Sequence, residues 1–268
     1  DRLDGPQCAG DDFGRAEEEA GAPDHVEEGR RAGNGVSDKV TVEISLFCGS
    51  ANLLTRLNQR TRSMYQKAVR TLRSQDAIVA RRQMLSLPHI VPLCAFCSRL
   101  RVEGRGVVPD FDPLDGGVDA EILFLMEKPG PMTDDTNAIG RTGSGFISRD
   151  NDDPTAEATL KFMESAKIAR ERSILWNIIP WWNGTRKISA AEHDAGSQRL
   201  AGLIDILPNL RVVVGVGARA RKAEKTVAQK GLPFVLSAHP SPINRASRPE
   251  LWAAIPSQWA QVHRHLKG

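Results

Sequence analysis

Four short, nearly continuous apolar runs constrain the fold of this chain more than any other feature: EILFLM (121–126), SILWNII (173–179), RVVVGVG (211–217) and PFVLSAH (233–239). Runs of this length without polar alternation read as strands covered on both faces. Each of the first three leads through a loop into helical material, PTAEATLKFMESAKI (154–168), ISAAEHDAGSQRLAGLIDIL (188–207) and ARARKAEKTVAQKG (218–231). PELWAAIPSQWAQVHRHL (249–266) forms a closing helix. This alternation predicts a three-layer α/β/α sandwich with a central, mostly parallel four-stranded sheet and right-handed crossovers. Ligands of such sheets bind beyond the carboxyl ends of the strands, so the residues just after each run are the candidate site.

The remainder of the chain reads differently. Residues 1–38 have almost no apolar periodicity and carry 11 acidic and 4 basic side chains, a net of −7; such a composition cannot offset the entropy of ordering and predicts a disordered acidic tail. The whole chain holds 36 basic and 33 acidic residues, which leaves 32 and 22, or +10, in residues 39–268. A folded part this basic suits a polyanionic partner. Within a basic helical extension over 39–89, the segment 51–84 alternates Arg and Lys with apolar residues, as one or two helices packed by one face and solvated on the other. No run approaches the roughly 20 apolar residues that span a bilayer, and no short apolar run with a cleavage site opens the chain, so a cytoplasmic protein without a membrane partner is expected.

Four cysteines, Cys8, Cys48, Cys94 and Cys97, are scattered except for one C-x-x-C, LCAFC. Without a second pair at hand this is a weak metal signal.

Polar residues held near prolines follow three of the four runs. After the first comes M-E-K-P-G-P (126–131), then the loop DDTNAIGRTGSGFISRDN (134–151); after the second, WNIIPWWNG with Asn177; after the fourth, AHPSPINR with His239. Proline fixes its own φ and biases the preceding residue toward extended backbone, so His239 and Ser241 sit in a stiff turn. The third run ends in VGVGARA, where Gly215 and Gly217 lack the third glycine and acidic residue of a nucleotide fingerprint and read as close strand-to-helix packing.

This order of motifs resembles the uracil-DNA glycosylase superfamily: a strand running into a G-E-x-P-G-like loop, a strand ending in N-x-x-P, a strand ending in Gly, and a strand running into H-P-S-P. The resemblance covers about residues 90–266, and H-P-S-P is its most specific element. It implies a monomer that flips deoxyuridine out of single- or double-stranded DNA and hydrolyses its base. Such a reaction sends negative charge onto the departing base, so donors must be fixed where that anion forms. His239 matches the histidine that faces uracil O2 as a neutral donor. Asn177 matches the asparagine whose amide pairs with the base edge and separates uracil from cytosine. Phe146 matches the stacking phenylalanine of the mismatch-specific branch, whereas alignment with the iron-sulfur branch puts Ala138 there. Ile243 matches the apolar wedge and Arg245 a phosphate contact, while Ser241 and Gly130 suit phosphate through hydroxyl and backbone N–H.

The sequence departs from the family in two places. The family carries Asp or Asn just before the first-motif proline, or Glu one position earlier, to orient water or stabilise the sugar cation. Here Lys128 precedes Pro129 and lies within reach of the base, Glu127 matches the earlier Glu and becomes the water-orienting candidate, and Met126 replaces the first glycine. If Glu127 plays no part, catalysis rests on His239 and leaving-group stabilisation. The iron-sulfur branch has two further cysteines after its N-x-x-x strand, and none follows Asn177, so neither a cluster nor any metal or other cofactor is expected. Trp181 and Trp182 in that segment could pack in place of a cluster or touch DNA. In RDNDDPTA (149–156) the acids suit a helix N-terminus, and Asn151 could face substrate. If a repair enzyme of this kind, the protein would work in the bacterial cytoplasm at the nucleoid. Two other functions fit the same residues, a catalytically reduced protein that binds uracil-containing or abasic DNA, and a nucleoside-binding α/β protein with no DNA affinity.

Overall fold

A computed structural model describes residues 69–136 and 142–266, all within one compact unit, Arg56–Gly268. The acidic stretch 1–38 and residues 39–68 of the basic extension lie outside the described residues. In chain order the elements are α1 (Gln75–Gln83), α2 (Val91–Val102), β1 (Asp110–Phe111), β2 (Ile122–Met126), β3 (Phe146–Ile147), α3 (Pro154–Ser165), β4 (Ser173–Asn177), α4 (Ala190–Asp205), β5 (Val212–Val216), α5 (Glu224–Gln229), β6 (Phe234–Ser237), α6 (Pro242–Ser247), α7 (Pro249–Ala253) and α8 (Ile255–Ala260).

The four apolar runs are the four strands of one sheet, ordered β4-β2-β5-β6 with every pair parallel. From β2 the chain moves outward to β4, then back across β2 to β5 and β6. With right-handed crossovers, this reversal sends α3 to one face and α4 and α5 to the other. The exit loop of β2 therefore crosses to one face while those of its neighbours β4 and β5 cross to the other, which opens a crevice at the tip of β2. On the α3 face, Phe124 meets Trp259 of α8 edge-on at 4.9 Å and Phe162 of α3 joins at 6.0 Å. On the other face α4 approaches so closely at Gly196 that an added Cβ would stand 2.2 Å from the Ile178 carbonyl oxygen.

The structure differs from the sequence reading in several elements. The closing helix 249–266 is three short segments, α7, α8 and a 3₁₀ turn at Gln261–Arg264, because Pro256 removes a backbone donor and clashes with the preceding turn. The 218–231 helix begins as 3₁₀ over Ala218–Ala223. Helix α2 was not anticipated; its Leu93, Phe96, Cys97 and Leu100 form a buried stripe at i, i+3, i+4 and i+7. The C-x-x-C therefore lies on a core-facing helix. Burial raises the Cys97 thiol well above its ordinary value, and the Cys94 and Cys97 sulfurs reach only the carbonyls of Leu85 and Pro109, each at 3.6 Å. Trp181 and Trp182 are buried and belong to the packing, and Trp182 pairs with Val107 through two 2.8 Å backbone bonds.

The basic segment is not merely solvated. Arg81 of α1 is buried with Arg149 and Arg170 among Asp112, Asp115 and Asp150. Arg81 Nη1 lies 2.5 Å from Asp112 Oδ2 and its Nη2 3.1 Å from Asp150 Oδ2; Arg170 reaches the same two residues at 2.6 and 2.9 Å. Three cations against three carboxylates leave no net buried charge, the condition under which such burial is tolerated. Burial alone would raise Asp112, but Arg81 and Arg170 hold it well below its ordinary value. Asp115, for which burial outweighs Arg149 and Arg170, is pushed up to about 6. The network pins α1 to the loops around β1 and β3.

Candidate active site at the carboxyl edge of the sheet

Because all four strands are parallel, their carboxyl ends share one edge. Asn177 is the last residue of β4, in register with Met126. Two bonds lock the loops that follow, Ile178 N–H to the Met126 carbonyl at 2.8 Å and Ile179 N–H to the Glu127 carbonyl at 2.9 Å. Asn177 is 4% exposed; among the described residues its side-chain amide meets no hydrogen-bond partner, and its polar atoms keep a trace of solvent access. The tips of β4 and β6 are separated by β2 and β5, about 14 Å apart at ~4.8 Å per strand.

His239 is fixed from several sides. Gly217 N–H donates to the Ser237 carbonyl at 2.9 Å, and at Gly217, with φ +94°, an added Cβ would stand 3.3 Å from His239 Cβ. Here glycine is required by both backbone angle and space. The His239 carbonyl accepts from Ser241 N–H and from Asn244 Nδ2, both at 2.8 Å. Upstream, Ser237 Oγ accepts from Trp259 Nε1 and Ala238 N–H donates to Gln258 Oε1, each at 2.8 Å. Burial lowers the imidazole below its ordinary value of 6.5, Glu127 pulls it up, and Arg186 pushes it down, so the ring is neutral at pH 7.

Glu127 and Lys128 point to opposite tasks. Glu127 Oε1 accepts from Arg219 Nη1 at 2.5 Å. Lys128, with a side chain only 4% exposed, donates to Glu192 Oε1 at 2.9 Å and to the Lys187 carbonyl at 3.1 Å. Its ammonium is thus committed to the start of α4 and not to the base position expected for it. Burial would raise Glu192, but the Ser189 backbone N–H and Lys128 bring it down to about 2. Ser189 and Glu192 also form a reciprocal capping box on α4. The Gly130 carbonyl accepts from the Thr133 hydroxyl at 2.8 Å, and an added Cβ at Gly130 would stand 3.7 Å from Arg186 Nη2.

Beside Glu127 a crevice of about 750 Å³ opens toward α4, lined by Glu127, Ile178, Arg186, His193 and Arg219 but by neither Asn177 nor His239. With Lys187 and Lys222 on its walls, four cations face one carboxylate, an arrangement suited to phosphate. Arg186, in the loop before α4, and Arg219, on the 3₁₀ turn after β5, were missed in the sequence because a single Arg carries no spacing signal. Asn244 was missed because its role is to hold the His239 carbonyl five residues back.

The remaining candidates lie on α6, in the core and in the β3 turn. Ile243 is 76% exposed on α6, and Arg245 is exposed beside it with its guanidinium 6.0 Å from the Trp252 ring centroid. Ser241 caps α6, its hydroxyl accepting from Asn244 N–H at 3.3 Å. Phe146 is wholly buried in a satellite cluster with Leu72 and Ile78, under the Arg82 guanidinium at 5.9 Å. In this arrangement it offers no open face for stacking; a core aromatic and a platform look alike in sequence. Ala138 lies outside the described residues. Asn151 does not face a substrate: its amide donates to the Phe146 carbonyl at 2.9 Å and accepts from Ser144 Oγ at 2.6 Å, fixing the β3 turn. Of the acids beside it, Asp153 caps α3 through Thr155 and Ala156 N–H, while Asp152 pairs with Arg70 and Arg73.

Comparison with known proteins bears on this edge directly. None of the curated proteins matches the chain. Among solved structures, the chain is similar to the solution NMR structure of a "putative Uracil DNA glycosylase" from Methanosarcina acetivorans, at 19% identity and a TM-score of 0.33, over 54% of this chain and 92% of that one. The family model of the Uracil DNA glycosylase superfamily matches residues 113–259, a span that holds all four strands, Glu127, Asn177 and the H-P-S-P turn. The chain belongs to the uracil DNA glycosylase superfamily.

Proposed function

We propose that this protein hydrolyses the N-glycosidic bond of deoxyuridine in DNA, everting the nucleotide and leaving an abasic site. The observation that carries the reading is the shared carboxyl edge of the parallel sheet, where Asn177 ends β4 and the neutral His239 follows β6. An Asn side chain both donates and accepts, and a base edge with one donor and flanking acceptors matches it. In the reaction the bond between C1′ and the uracil nitrogen breaks with its electron pair going to the base. His239 donates a hydrogen bond to the resulting anion, and water adds to C1′ and loses its proton, with Glu127 orienting that water. The cations of the crevice hold the flanking phosphates, and Ile243 fills the gap left in the strand. The substrate is single- or double-stranded DNA, and the protein acts as a monomer without a cofactor.

One pair of contacts favours a second reading. Glu127 is already bonded to Arg219 and the residue before Pro129 is a lysine tied to Glu192, which suits a member that holds uracil-containing or abasic DNA with little turnover. Uracil release from a deoxyuridine oligonucleotide, with wild type, Glu127→Ala and Lys128→Ala side by side, separates the two. Release by wild type that drops in Glu127→Ala supports the enzyme with a water-orienting carboxylate. Release unchanged in Glu127→Ala assigns catalysis to His239 and the leaving group, and tight binding without release by wild type favours the binding protein.

A further inference from the structure

A second cleft, of about 510 Å³, lies between one stripe of α3 and the α6–α7 segment. Its walls include Phe162 and Trp252, which meet edge-on at 4.9 Å, and its rim carries Arg70, Lys161 and Arg245 against the single carboxylate of Glu157. Glu157 holds two of these cations in place, Arg70 at 2.8 Å and Lys161 one turn along α3. Arg245 lies over the Trp252 ring and only two residues beyond Ile243, so the cleft starts where the proposed wedge ends. Arg70 stands outside the 113–259 span shared with the family.

We infer that this cleft binds one unpaired nucleotide of the DNA strand next to the everted deoxyuridine, its base against Trp252 and its phosphate among Arg245, Lys161 and Arg70. A half-buried aromatic floor beneath a cationic rim is the pairing that single-stranded nucleic acid selects, and the volume falls in the range of small-ligand sites. The inference rests on the DNA reading above, and it adds that flanking sequence beyond the target is gripped by a separate site.

The test uses the full chain and uracil-containing single strands with 2-aminopurine at neighbouring positions. Wild type quenches the fluorescence at one flanking position, and Trp252→Leu does not. Efficiency on a long strand relative to the shortest strand excised falls about tenfold in Trp252→Leu, and Lys161→Gln lowers the slope of log affinity against log salt by about one. Because Trp252 also packs on Phe162, a loss of the melting transition in that variant leaves the decision to Lys161→Gln, on an exposed side chain. Unquenched fluorescence at every flanking position with wild type, or an unchanged salt slope in Lys161→Gln, overturns the inference and leaves the cleft to a protein segment or to solvent. Quenching without any uracil release upholds the cleft and sinks the hydrolysis.

Discussion

Lys128 Nζ lies 2.9 Å from Glu192 Oε1, on a lysine side chain that is 4% exposed. This pair ties the loop after β2 to the start of α4. Replacing Lys128 by Met removes the cation bonded to Glu192, which keeps its bonds from Ser189, Trp181 and Asn183, and lowers stability by about 1.5–3 kcal/mol, the worth of a hydrogen bond to a charged group. Glu192 is depressed to about 2, so its contribution is complete above its ordinary value near 4.5 and is lost as pH falls toward 2. Chemical denaturation from pH 7 to 2.5 should show the wild-type advantage over Lys128→Met constant down to about pH 4.5 and shrinking below it.

The Asn177 amide is expected to discriminate the base. Asn177→Asp should reduce excision by tenfold or more, since a donor is exchanged for an acceptor, with the melting transition retained. Steady-state rates beside thermal melts check this, and unchanged excision removes Asn177 from the site.

His239→Ala should lower the rate about 10²-fold or more, the loss seen when one anion-stabilising donor is removed. Since the neutral ring is the working form and its titration lies below 6.5, the rate should fall on the acid side with a midpoint under 6.5. Arg186 pushes the ring down, so Arg186→Gln should move that midpoint to higher pH. A pH–rate profile of the two proteins reads the shift directly, and a midpoint that stays put takes Arg186 out of the field of His239.

Arg81→Ala leaves Asp112 and Asp150 short of a buried partner and should cost about 3–5 kcal/mol in denaturant unfolding. Loss on that scale would show that α1 is part of the folded body; a change near zero would detach it. By contrast, deletion of residues 1–38, too polar to bury a core of their own, should leave excision nearly untouched.

How far the sequence could be read follows from the range of each interaction. The strands were legible because continuous apolar runs report burial on both faces locally, and His239 because prolines mark its turn. Helix α2 was hidden because Cys97, which completes its buried stripe with Leu93, Phe96 and Leu100, reads in sequence equally well as half of a C-x-x-C motif. Phe146 could not be sorted from sequence, since whether its ring is covered depends on Leu72 and Ile78, some 70 residues earlier. The partners of Glu127 and Lys128 are likewise remote, Arg219 and Glu192, and ion pairs between loops leave no periodic trace. Asn151 invited a functional reading as a polar residue near the site, yet its amide is consumed by the turn at Phe146.

Counting free uracil per protein molecule from a deoxyuridine oligonucleotide in excess tests the central claim most directly. The account predicts many uracils released per molecule of wild type, with strands carrying cytosine at the same position left intact. Release that stops at or below one uracil per molecule, or equal release of cytosine, would contradict it.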